Sequence, residues 1–177
     1  WRGANGQAPV NAGGRLDPTT MTWRATSTVN APEGRSRAAA VWSEGRMIVW
    51  GGSSYDRYLN TGGRYDPIAD AWSPTSTLNA PPGRSFLTMV AAGRLVLVWG
   101  GYNGSNSSLL GSGGRYDPSA DAWLPISSVD APRGRYGHTA IWTGRLMVLW
   151  GGYGGEGTGW LGDGARYDPV ADAWTPT

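Results

Sequence analysis

The phrase Arg-Tyr-Asp-Pro-x-Ala-Asp-Ala-Trp occurs at Arg64 to Trp72, Arg115 to Trp123 and Arg166 to Trp174, with a looser copy at Arg15 to Trp23. Its arginines lie 49, 51 and 51 residues apart (15 to 64, 64 to 115, 115 to 166). A period of that length fits one four-stranded propeller blade per repeat. Other landmarks keep the same period: Ala31-Pro32, Ala80-Pro81 and Ala131-Pro132; Gly34-Arg35, Gly83-Arg84 and Gly134-Arg135; Trp50-Gly51-Gly52, Trp99-Gly100-Gly101 and Trp150-Gly151-Gly152. Nothing falls outside the repeat, so one architecture governs the chain.

Each unit divides into four segments of strand length. In the unit that opens at Gly83 these are Ser85 to Ala91, Arg94 to Trp99, Gly113 to Asp117, and a segment around Trp123. The second, Leu95-Val96-Leu97-Val98-Trp99, is apolar without alternation, as expected of a strand covered on both faces. Short glycine turns (Ser43-Glu44-Gly45, Ala92-Gly93, Thr143-Gly144) separate the first and second segments. Glycine there supplies the positive φ of a tight hairpin. Asp66-Pro67-Ile68-Ala69-Asp70 and its counterparts fix φ with proline and offer carboxylates to turn amides, which joins the third and fourth strands compactly. One repeat therefore reads as an antiparallel meander.

A double glycine closing the second strand, Tyr-Asp-Pro closing the third, a tryptophan on the fourth and an arginine opening the next first strand resemble the kelch repeat family. The resemblance covers essentially the whole chain. It implies an all-β fold: a kelch-type β-propeller segment of three full four-stranded blades (35–77, 84–126 and 135–177), preceded by a half blade (1–28) holding only third and fourth strands. Trp1 aligns with Trp50 and Trp99, so the chain is expected to open in mid-blade. Propellers close with typically 4 to 8 blades. At about 25 cal/mol per Å2, several hundred Å2 of uncovered blade face would cost on the order of ten kcal/mol, as much as a whole domain's stability. Further blades, from the same polypeptide or from partner chains, are therefore expected to complete the ring.

The chain carries 29 glycines and 12 prolines in 177 residues, which suits many short strands and tight turns. No apolar run approaches the roughly 20 residues of a membrane span, and no signal peptide is visible at Trp1. Basic and acidic residues number 15 and 13, every basic side chain is arginine, and the arginines are spread over all repeats. That distribution lacks the concentrated stripe expected for nucleic-acid binding. Cysteine is absent, which excludes a disulfide scaffold, a thiolate nucleophile and a cysteine-type zinc cluster. It also removes the cross-linked tyrosine-cysteine pair of the kelch-containing copper oxidases. No cofactor is expected.

Catalytic residues are scarce. A single histidine, His138, occupies a position held by Ala38 and Leu87 in the other units, so it reads as a packed strand residue. The Asp66/Asp70, Asp117/Asp121 and Asp168/Asp172 pairs lack the dense oxygen ligands of a calcium loop and read as turn chemistry. Glu156 and Asp163 lie in the glycine-rich loop Gly151 to Gly164 and form no evident acid/base pair. Trp23, Trp72, Trp123 and Trp174 share one repeat position, and Trp50, Trp99 and Trp150 another; both sets read as packing wedges between blades.

Binding candidates follow from the kelch resemblance, which places ligand contacts just after the double glycine and at the arginine opening the first strand. Those positions are Ser53, Tyr102 and Tyr153, and Arg35, Arg84 and Arg135, with Tyr136 and Trp160 extending the patch. Guanidinium forks suit carboxylates and aromatic rings suit apolar faces of peptides or sugars. The same arginines are equally compatible with holding blades together through backbone carbonyls. Loops Ser53 to Thr61, Tyr102 to Ser112 and Tyr153 to Asp163 differ between units and fill one slot, so specificity is expected on that edge. Two formal glycosylation sequons, Asn103-Gly104-Ser105 and Asn106-Ser107-Ser108, lie in the second of these loops.

The resulting expectation is a non-catalytic binding or assembly module of an extracellular or cell-surface protein, contacting protein or glycan through the loop edge. Two alternatives stay open: a structural subunit of a surface array or filament, and a sugar-processing enzyme of the kelch mutarotase kind.

Overall fold

The structure, a computed structural model, describes residues 9–104 and 109–177. The expectations for Trp1 and for the sequon residues Ser105 to Ser108 fall outside those residues. All regular structure described is β. Strands β1 (Gly14–Asp17) and β2 (Thr22–Ala25) form a two-stranded sheet. The first full blade holds β3 (Ala39–Ser43), β4 (Arg46–Trp50), β7 (Gly62–Asp66) and β8 (Ala71–Pro74), with a small hairpin β5 (Ser53–Ser54) and β6 (Arg57–Tyr58) between its second and third strands. The second comprises β9 (Thr88–Ala92), β10 (Leu95–Trp99), β11 (Gly113–Asp117) and β12 (Ala122–Pro125). The third comprises β13 (Thr139–Trp142), β14 (Met147–Trp150), β15 (Gly164–Asp168) and β16 (Ala173–Pro176). Within each sheet consecutive strands pair antiparallel, as expected of a kelch-type propeller segment.

Hairpin turns behave as the sequence predicts, with positive φ at Glu44, Gly45, Gly93 and Gly144. The first strands begin later than expected: β9 starts at Thr88 rather than Ser85. Arg37, Phe86 and Gly137 hold φ near +60° at that place, breaking the extended run, and the residue before each makes an isolated bridge across to the loop edge.

Apolar second strands are buried because blades stack face to face. Ile48 and Trp50 of the first blade pack with Val96, Val98, Tyr116 and Trp123 of the second. Leu97 and Trp99 of the second pack with Met147, Leu149, Tyr167 and Trp174 of the third. Ring pairs Trp50–Trp123 and Trp99–Trp174, at 5.1 and 5.6 Å, make these four tryptophans inter-blade wedges, whereas Trp23 and Trp150, from the same two repeat positions, are exposed.

A polar clasp repeats beside each apolar interface. Asp121 Oδ1 accepts from the Tyr116 hydroxyl of its own blade at 2.6 Å and from the Ser76 amide of the preceding blade at 2.8 Å. Trp123 Nε1 donates to the Ser76 carbonyl at 2.9 Å, and Arg64 of the preceding blade donates to the Pro118 carbonyl at 2.8 Å while pairing with Asp121 Oδ2 at 3.3 Å. Asp70, Tyr65 and Trp72 repeat the arrangement with Ser27 and Arg15, and Asp172, Tyr167 and Trp174 with Ser127 and Arg115. The first aspartate of each pair serves its own turn, as Asp66 Oδ1 does for the amides of Ile68 and Ala69. The sequence reading gave both aspartates to turns; the second instead belongs to the neighbouring blade.

Hydrogen bonding by Tyr65 and the Ser27 amide holds Asp70 below the usual carboxylate range, while desolvation and Asp70 raise Tyr65 to about 12. The pair is thus anionic carboxylate and neutral phenol at neutral pH. Asp121→Ala should destabilise the chain by about 2–4 kcal/mol, because it strands a buried hydroxyl, an amide and a guanidinium. Urea unfolding followed by tryptophan fluorescence measures this.

Candidate functional site

After each second strand the double glycine turns the chain sharply. Gly100 and Gly101 have φ of 69° and 105°. A Cβ on Gly100 would stand 2.5 Å from His138 Cε1, and one on Gly101 2.7 Å from the Ser85 carbonyl oxygen. Both positions therefore need glycine for conformation and for space. The Gly101 amide donates to the Arg135 carbonyl of the next blade at 2.9 Å, which fixes the following residue on a common edge. There Tyr102 bridges Ser85 and Leu109, and Tyr153 bridges Tyr136 and Trp160.

These bridges align an aromatic row across three blades. Ring centroids are 5.5 Å apart for Tyr58–Tyr102, 6.2 Å for Tyr102–Tyr136, 5.5 Å for Tyr136–Tyr153 and 5.6 Å for Tyr153–Trp160. Phe86 lies 5.4 Å from Tyr136, and Arg37 stacks its guanidinium 4.8 Å above the Phe86 ring. An open cavity of about 280 Å3 is lined by Phe86, Tyr102, Leu109, Tyr136, Tyr153, Gly155 and Glu156. Its wall is aromatic, with one carboxylate at the rim.

Of the eight residues predicted to bind, the structure brings Tyr102, Tyr136, Tyr153 and Trp160 together. It places the other four in the framework. Ser53 is buried and its backbone pairs with Ser36 in both directions. Arg35, Arg84 and Arg135 have relative exposures of 1%, 0% and 0%. Arg84 Nη1 donates to the carbonyls of Gly100 at 3.1 Å and Ser112 at 2.6 Å, its Nη2 to Ser112 Oγ, and its Nε to the Pro82 carbonyl. Arg35 does the same with Gly51, Thr61 and Glu33. Arg135 Nη1 donates to the Gly151 and Asp163 carbonyls and pairs with the Asp163 carboxylate at 2.8 Å, and its Nε donates to the Arg133 carbonyl, while its buried Nη2 has no hydrogen-bond partner among the described residues. Desolvation lowers Arg35 and Arg84 to about 10, so both stay charged at neutral pH. Each arginine clamps the root of its own blade's variable loop and leaves no guanidinium face for a ligand.

Sequence reasoning missed Phe86, Tyr58 and Leu109. Phe86, the one phenylalanine, occupies the repeat position held by Arg37 and Gly137, and that variation was a readable signal. Tyr58 and Leu109 lie in loops whose fold depends on neighbouring blades. His138 sits between the second and third blades, with Nε2 2.8 Å from Thr88 Oγ1 and its ring edge-on to Trp99. Among the described residues no cluster of three histidine, cysteine or acidic side chains is placed to hold a metal ion.

Burial, reinforced by Arg135, lowers His138 to about 4 from a model-peptide value of 6.5. The unfolded chain therefore binds the proton more strongly, so this contribution to stability is complete above about pH 6.5 and is lost as pH falls towards 4. Melting temperature should drop across that window, and His138→Leu, the residue at the matching position of the second blade, should flatten the drop. Arg84→Lys should cost about 2 kcal/mol or more because an ammonium cannot reproduce the planar fork, whereas Trp160→Ala, exposed on the edge, should change stability by less than about 1 kcal/mol. Denaturant titration separates the two.

No curated protein matches this chain. A family profile described as the KLHDC2/KLHL20/DRC7 Kelch-repeats domain matches residues 2–177. With the double-glycine turns, the meander blades and the repeated clasp, that match shows that the chain belongs to the kelch-repeat family.

Proposed function

We propose that this kelch domain is a non-catalytic protein-binding module whose contact surface is the aromatic loop edge running from Tyr58 to Trp160. The observation that carries this reading is the row itself: five rings drawn from three blades, each within about 6 Å of the next, beside an open cavity. Aromatic rows give large contact area at low entropic cost and are enriched among the residues that dominate interfaces. Among the described residues that line the cavity Glu156 alone carries a formal charge, and Arg37 stacks on Phe86. The partner that fits is an extended, weakly charged segment with an apolar or aromatic anchor. Framework use of Arg35, Arg84 and Arg135 supports a binding reading over a sugar-processing one. The extracellular or cell-surface setting is proposed on the wording of the repeats alone.

Selection of a random-peptide display library against the intact chain tests this reading. Enriched peptides should lose affinity about tenfold or more on Tyr136→Ala or Trp160→Ala, a loss of about 1.4 kcal/mol, with melting temperature nearly unchanged. Peptides insensitive to both substitutions would place the contact surface elsewhere.

A further inference from the structure

The five rings of the loop edge share a chemistry besides contact area, because phenols and indoles give up one electron more readily than any other side chain without sulfur. Sulfur is scarce here. The chain has no cysteine, and of its four methionines Met147 is buried, Met47 and Met89 are half-buried, and Met21 is exposed on the half blade. None of them lines the aromatic cavity, so an oxidant arriving at this edge meets rings rather than thioethers. Trp160, 78% exposed, is the ring it reaches first. Electron exchange falls off exponentially with the gap between donor and acceptor, and centroids 5.5 to 6.2 Å apart keep that gap small at every step from Trp160 through Tyr153, Tyr136 and Tyr102 to Tyr58. An oxidising equivalent can therefore pass along the row.

One pair is built to end the migration. Tyr58 of the first blade and Tyr102 of the second meet edge to face, with centroids 5.5 Å apart at 86°, and their hydroxyls are hydrogen-bonded. Among the described residues no other pair in the row shares a hydroxyl contact. A phenol that loses an electron becomes a strong acid and must release its proton, and here the neighbouring oxygen is in place to accept it. The same contact holds together the ends of the two rings that carry the ortho carbons. Gly104 presses the second blade's loop onto Tyr58: a Cβ there would stand 2.5 Å from Tyr58 Cε2 and 3.1 Å from its hydroxyl.

We propose that Tyr58 and Tyr102 form an oxidative cross-linking site, fed along the row from Trp160, that staples the variable loops of the first and second blades together. The oxidant is a one-electron acceptor of the haem-peroxidase class, driven by hydrogen peroxide. Each phenol loses one electron and one proton, and the two phenoxyl radicals join through a carbon–carbon bond between ortho carbons. The hydrogens on those carbons shift to the oxygens and restore both phenols. One hydrogen peroxide takes up the two electrons and two protons and leaves as two waters. The staple needs only the rings, so it does not depend on peptide capture by the same edge.

Treatment of the intact chain with a haem peroxidase and hydrogen peroxide, followed by trypsin and mass spectrometry, tests this. Tyr58 lies in tryptic peptide 58–64 and Tyr102 in 95–115. The expected product is these two peptides joined and lighter than their sum by two hydrogens, from a chain that stays monomeric on a denaturing gel. Tyr55, 76% exposed and outside the row, lies in peptide 47–57 and controls for oxidation governed by exposure alone. Tyr58→Phe should remove the product and Tyr55→Phe should leave it. Gly104→Ala, which keeps every phenol but displaces the Tyr58 ring, should lower its yield, and so should Trp160→Phe and Tyr136→Phe, which interrupt the row while the pair stays intact. The melting temperature of each untreated variant shows that the fold is kept. Coupling through Tyr55, or between chains, in place of the 58–64 and 95–115 product overturns the cross-linking site. A yield that neither Trp160→Phe nor Tyr136→Phe lowers overturns the feeding role of the row.

Discussion

The structure depends on one carboxylate per blade. Asp70, Asp121 and Asp172 each gather a phenol from their own blade and an amide and a guanidinium from the preceding one. A meander of four short strands cannot bury both of its faces alone, so stability resides in the stacking of neighbours. Apolar faces supply attraction without direction, whereas the clasp has geometry and sets how one blade sits on the next. The aspartate holds a left-handed φ that this residue type tolerates better than most, and the turn ahead of it is fixed by proline and by the first aspartate.

Two arginine systems divide the remaining work. Arg15, Arg64 and Arg115 act between blades. Arg35, Arg84 and Arg135 act within them, tying the end of the second strand to the start of the third, so that loops of different length and composition leave from one rigid frame. A guanidinium suits both tasks because its fork satisfies several carbonyls at once. The frame is therefore constant, and the aromatic row can change through the loops without disturbing the blades.

Much of this was legible in advance. The period gave the blades, the unalternated second strands gave face-to-face burial, and the variable slot gave the loop edge that carries Tyr102, Tyr153 and Trp160. Ser27, Ser76 and Ser127 also recur in register, but nothing local assigns them a contact, because their partners lie 43 to 45 residues away in another blade. The same separation hid the role of the second aspartate. The direction of Arg35, Arg84 and Arg135 was open because a recurring arginine fits a ligand or a carbonyl equally well until the surrounding atoms are placed.

The sequence by itself determined the repeat, the strand order, the turn chemistry and the family, because these follow from local propensity and a fixed period. Only the tertiary structure decided which polar groups face inward and which aromatic rings share one edge. Those properties belong to contacts between blades, where the environment of a side chain is set by residues most of a repeat away rather than by its own neighbours in the chain.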